Sequence, residues 1–109
     1  MSNKTHNPGQ LPPADIDRLK QQYGRIYCVE VEDDDSTVHC AYFRRPDMST
    51  MAAMTKMAKT DEIKASQILV DNTFVAGDTA IKSDPVLFIG AVGQLSHIIS
   101  AVKATIKNV

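Results

Sequence analysis

Hydrophobic positions change period along this chain, and each change marks an element. After a polar opening, Ile16, Leu19 and Tyr23 recur at spacings of three and four, one face of a helix. Pro13-Ala14-Asp15 opens that pattern and Gly24 closes it, which predicts a helix over 13–23. The period then drops to two. Tyr27, Val29 and Val31 alternate with Cys28, Glu30 and Glu32, and Val38, Cys40 and Tyr42 alternate beyond an acidic break. Alternation with β-branched and aromatic residues predicts two strands in an antiparallel hairpin. A four-residue loop from Asp33 to Ser36 would pair Val31 with Val38, Val29 with Cys40, and Tyr27 with Tyr42 on one face. In that register Cys28 and Cys40 point to opposite faces and stay reduced, since a slip of one residue would move every side chain to the wrong face.

The second half reads as helical. Pro46 ends the strand, and Asp47 is placed to cap DMSTMAAMTKMAK. Thr60 is the expected cap of the next helix, with Asp61 and Glu62 in its first turn and Ile63, Gln67, Val70 and Phe74 along it, until Gly77-Asp78 breaks it. Thr79 to Ser83 reads as a short turn. Asp84-Pro85 marks the start of a last helix that is expected to reach about Lys107. Its apolar face is Phe88, Val92, Leu95, Ile99, Val102 and Ile106, and a second stripe holds Gly93, His97, Ser100, Ala104 and Lys107. The 18 residues from Pro85 to Val102 carry no charge, the lower edge of a membrane-spanning length. The polar stripe favours a helix packed in a small protein instead. The resulting order, α-β-β-α-α-α, predicts an α+β fold: a short N-terminal helix, an antiparallel β-hairpin and a mainly helical C-terminal half. A two-stranded hairpin alone is marginal, so helices, a third strand or another subunit must complete it.

Length and charge narrow the function. The 109 residues make one domain, expected over 13–109, with residues 1–12 as a disordered arm. That arm, MSNKTHNPGQLPP in its wider extent, has no apolar stretch of the secretory kind, and a cytoplasmic location is expected. Lys and Arg total 12 against 13 Asp and Glu, a net charge of −1, which removes the electrostatic case for nucleic-acid binding. Two cysteines do not make a disulfide scaffold.

Candidate chemistry is thin. Glu30, Glu32, Asp33, Asp34 and Asp35 crowd the hairpin tip, but a calcium loop counted from Asp33 would put Val38 where it needs glycine and Arg44 where it needs glutamate. His6, His39 and His97 show no zinc-ligand spacing, and His39 and Cys40, as strand neighbours, point to opposite faces. Neither a metal nor a cofactor is therefore expected. His97 and Ser100 lie three apart on the last helix without an orienting third group. Gly90 and Gly93 lack phosphate-loop spacing and suit close helix packing. The most suggestive feature is Met48, Met51, Met54 and Met57, spaced by three. Methionine adapts to irregular surfaces, so the series suits either a core-facing strip or a strip that binds a partner.

Three stretches share a resemblance. The segment KQQYGRIYCVEVE, the strand end AYFRRPDMSTM, and the helical remainder with VDNTFVAGDTAIKSDP and QLSHIISAVKATIKN resemble tailed-phage and prophage proteins of the tail-assembly-chaperone type. The likeness spans roughly residues 13–109 and rests on a YG-x-[IV]-[YF] strand and an [FY]-R-[KR]-P strand-to-helix junction. It implies a non-enzymatic role: keeping a long helical tape-measure protein soluble until tail-tube subunits assemble around it. No catalytic residue carries over. Arg44, Arg45 and Pro46 match the junction, where the proline ends the strand and the arginines pair with nearby acids. The alternatives are a structural virion subunit or small oligomeric adaptor pairing strands between chains, and a small enzyme using His97 and a serine.

Overall fold

The computed structural model describes residues 7–100 and 104–109. Along them run α1 (Pro13–Tyr23), β1 (Ile26–Glu32), β2 (Val38–Arg44), α2 (Met48–Ala58), α3 (Glu62–Thr73), β3 (Phe74–Gly77), α4 (Ala80–Ser83) and α5 (Pro85–Ser100). This is the expected α+β class, with one strand more. The sheet is antiparallel in the order β1-β2-β3.

Local chemistry sets most boundaries. Pro13 begins α1, and Gly24 leaves it at a φ of 83°, where its amide still donates to the Lys20 carbonyl. The Asp47 carboxylate accepts from the Thr50 amide at 2.8 Å and caps α2. At α3 the cap is Asp61, not Thr60: Asp61 accepts from the Lys64 amide at 3.0 Å, while the Thr60 hydroxyl turns back to the Met57 carbonyl. Asp84 accepts from the amides of Val86 and Leu87, ahead of Pro85.

The hairpin register differs from the expectation by one residue. Val31 faces His39, Val29 faces Ala41 and Tyr27 faces Phe43. The tip explains the shift. Asp33 and Thr37 still pair, with the Asp33 amide donating to the Thr37 carbonyl at 2.9 Å. Only Asp34, Asp35 and Ser36 loop out, and Ser36 takes a left-handed φ of 64°. A β-turn followed by one left-handed residue is the usual three-residue hairpin loop. The Asp33 carboxylate stabilises it by accepting from the amides of Asp35 and Thr37. Cys28 and Cys40 consequently share a face, contrary to the expected opposite placement.

β3 was hidden because Phe74 continues the helical spacing of α3. The helix stops at Thr73, whose hydroxyl donates to the Leu69 carbonyl, and the chain turns extended at Phe74. Phe74 meets Phe43 edge to face, with ring centroids 5.7 Å apart. Gly77 holds a φ of 118°, and a Cβ there would lie 2.6 Å from the Ala41 Cα, so only glycine lets β3 approach β2.

One face of the sheet, Val29, Ala41 and Phe43, packs with Leu69 and Val70 of α3, Ile81 of α4, and Leu87, Phe88, Ala91 and Leu95 of α5. Gly90 lets α5 approach β1, since a Cβ there would meet Val31 at 2.8 Å. Gly93 faces open space. The expected continuation of α5 to Lys107 is not seen: residues 101–103 lie outside the described residues, and residues 104–109 are not helical. Among the described residues no helix is long and apolar enough to cross a membrane.

The last residues of the expected arm lie on the sheet. The Pro8 carbonyl accepts from the Cys40 amide at 2.8 Å, and the Leu11 amide donates to the Tyr42 hydroxyl at 3.2 Å. Residues 1–6 of that arm, His6 among them, lie outside the described residues.

Candidate functional site

Three places gather side chains with chemical potential: α2, the end of the sheet at His39, and the sheet face that carries both cysteines.

On α2 only Thr50 is buried. Met48 is 82% exposed, and Met51, Met54 and Met57 are half-buried. Met54 packs against the core, whereas Met51 lines a cavity of about 170 Å³ with Arg45, Pro46, Ile98 and Ile99. The methionine series thus runs from solvent to the edge of the core. At the junction before α2, the Arg44 guanidinium donates to the Asn72 carbonyl, lies 4.0 Å from the Asp47 carboxylate, and stands over the Tyr23 ring. Further apolar side chains are exposed on α3 and α5: Ile63, Val86 and Ile89.

His39 bridges two carboxylates. Its Nδ1 lies 2.8 Å from an oxygen of Asp78, and its Nε2 lies 2.8 Å from an oxygen of Asp33. Ionised carboxylates only accept, so this arrangement favours the protonated ring, in which both nitrogens donate. The hydrogen bond to Asp78, then that to Asp33, raises the His39 pKa, and the same bonds lower both carboxylates. Each aspartate uses its other oxygen on backbone: Asp33 on the hairpin tip, Asp78 on the Ala80 amide. The cluster ties the tip to the turn between β3 and α4, with every group committed. It braces the two segments against each other. Sequence spacing could not find it, because Asp78 is 39 residues from His39.

His97 is exposed beside a cavity of about 610 Å³ lined by Arg25, Tyr27, Cys28, Glu30 and Gln94 among others. The Ser100 hydroxyl donates to the His97 backbone carbonyl and not to the ring, so the two side chains do not form the pair that the alternative enzyme reading would need.

The second sheet face carries Cys28, Glu30, Cys40 and Tyr42. Glu30 stands directly opposite Cys40, and Cys28 opposite Tyr42. Both cysteines are free thiols, Cys28 exposed and Cys40 fully buried. The Cys40 thiol points at the Glu30 carboxylate, with Sγ 3.8 Å from Oε2. Burial pushes the Cys40 thiol up to about 11. Partial burial also raises Cys28, against the pull of the neighbouring Tyr42 hydroxyl. The donor atoms of Cys28, Glu30 and Cys40 all lie within 4.8 Å of one another. The register assumed from the alternation alone separates these residues, which is why the sequence showed no such group.

The fold is similar to a solved structure described as the uncharacterised protein rbstp2171 from Bacillus stearothermophilus, with a TM-score of 0.63 and 27% identity over 85% of this chain and 99% of that one. No family model and no curated protein matches the chain.

Proposed function

We propose that this chain is a non-enzymatic tail-assembly chaperone-type protein of a phage or prophage, working in the host cytoplasm and binding a helical partner such as a tape-measure protein. The observation that carries the reading is α2, a helix that buries one residue and leaves a graded strip of methionines accessible. Its methionine side chains are adaptable enough to repack against a foreign apolar helix. Exposed Ile63, Val86 and Ile89 add apolar surface. The test is co-expression with a long helical protein of the tape-measure type. Soluble partner is expected with the wild-type chain and lost with Met48→Lys/Met51→Lys. Equal solubilisation by that double variant overturns the assignment of α2.

A second reading, a structural subunit or small oligomeric adaptor, has its own observation. Among the described residues β1 pairs with β2 alone, so it is an edge strand. Edge strands accept further strands. Concentration-dependent rings or filaments in light scattering favour that role over the chaperone.

A further inference from the structure

We infer that Cys28, Glu30 and Cys40 form a binding site for a thiophilic divalent cation of the zinc type, with two thiolates and one carboxylate as protein ligands. The argument starts from the register. In an antiparallel pair, opposite and diagonal residues on one face are the nearest side chains. Glu30 is opposite Cys40, and Cys28 is diagonal to it, two residues before Glu30 on β1. Three donor groups on two adjacent strands thus converge on one point.

The distances fit. With zinc–sulfur bonds of about 2.3 Å and zinc–oxygen bonds of about 2.1 Å, a tetrahedral site sets sulfur and oxygen about 3.6 Å apart and two sulfurs about 3.8 Å apart. Cys40 Sγ and Glu30 Oε2 are 3.8 Å apart, and the third donor lies within 4.8 Å of both. Small side-chain rotations close that gap.

The surroundings suit such an ion. Cys40 sits on the central strand, fully buried, with its backbone amide bonded to the Pro8 carbonyl. Cys28 and Glu30 are exposed and give an entry path. With Cys28 and Glu30 exposed, a fourth position would be open to water. Two sulfur donors select a soft or borderline ion over calcium or magnesium. On binding, each S–H bond breaks heterolytically, the sulfur lone pair goes to the ion, and two protons leave to solvent. No electron is transferred.

The test uses the full chain in a phosphine reductant, with Cd²⁺ as spectroscopic probe and Zn²⁺ as competitor. Saturation is expected at roughly one Cd²⁺ per chain, with a thiolate-to-cadmium charge-transfer band that Zn²⁺ removes. Replacement of buried Cys40 endangers folding, so Cys28→Ser is the main variant. It should lower affinity about tenfold or more and cut the band to roughly half or less. Glu30→Gln should weaken binding severalfold while keeping the two-thiolate band. Zn²⁺ should raise the melting temperature of the wild type and not of Cys28→Ser. Three results overturn the site: no band with both thiols titratable, unchanged affinity in Cys28→Ser, or two chains per ion. None of these bears on α2, so the cation site and the partner reading fail independently.

Discussion

The two faces of the sheet are made from alternate residues of the same strands and are held by different means. Val29, Ala41 and Phe43 lie under three helices in a continuous apolar core. Cys40 and Tyr42, one residue along, are just as buried. Their cover is a short segment with a turn at Pro8-Gly9, joined by the Pro8 and Leu11 hydrogen bonds, and their neighbours Cys28 and Glu30 remain exposed. Equal burial therefore has unequal meaning. On the helical face it is a source of stability. On the other it keeps polar and sulfur-bearing groups in place beside solvent.

The sharpest break of that contrast is Phe43→Ala. Removing a fully buried phenyl ring should cost about 3–5 kcal/mol, a large share of the stability of a domain this size, read as a lower denaturant midpoint. Gly77→Ala comes next. Its Cβ would collide with the backbone of β2 at a φ of 118°, so a loss of about 2 kcal/mol or more is expected, concentrated in β3. Tyr42→Phe tests the other face. It removes the acceptor for the Leu11 amide and should cost about 1 kcal/mol while leaving the helical core intact, visible as faster proteolysis near residue 11.

The smallest effect belongs to the His39 brace, which solvent partly screens. The His39 pKa is raised by its aspartates, so its contribution is complete below about pH 6.5 and is lost as pH rises through the elevated folded value. The lowered pKa values of Asp33 and Asp78 give a contribution present above about pH 4 and lost as pH falls through their depressed values. Stability from the brace therefore peaks between those limits. His39→Gln should flatten the decline on the alkaline side. An unchanged pH profile in that variant would show that the brace adds nothing.

Local signals were legible at most helix ends, Thr60 giving way to Asp61 at α3. Gly24, Asp47 and Asp84-Pro85 end or begin helices through bonds to their own neighbours, and α1 matches its expected range. The hairpin was legible, its register was not. Hydrophobic matching favoured Val31 with Val38, while the left-handed Ser36 and the Asp33–Thr37 pair decide the actual alignment. β3 escaped because four residues cannot establish a period of two against the helical spacing that precedes them. The His39 brace and the cysteine face both depend on pairings between distant parts of the chain. The methionine series was legible as a strip, and the structure adds its gradient from exposed Met48 to core-contacting Met54.

The bond from the Cys40 amide to the Pro8 carbonyl has a kinetic consequence. Cys40 lies in the central strand, where amide protons ordinarily exchange with deuterium only on global unfolding. Its acceptor belongs to the covering segment and not to another strand. Lifting that segment is enough to release this proton, while the amides of Ala41 and Phe43 stay protected by their β1 partners. The exchange rate at Cys40 is thus a clock for opening of the cysteine face, separate from unfolding of the sheet beneath it.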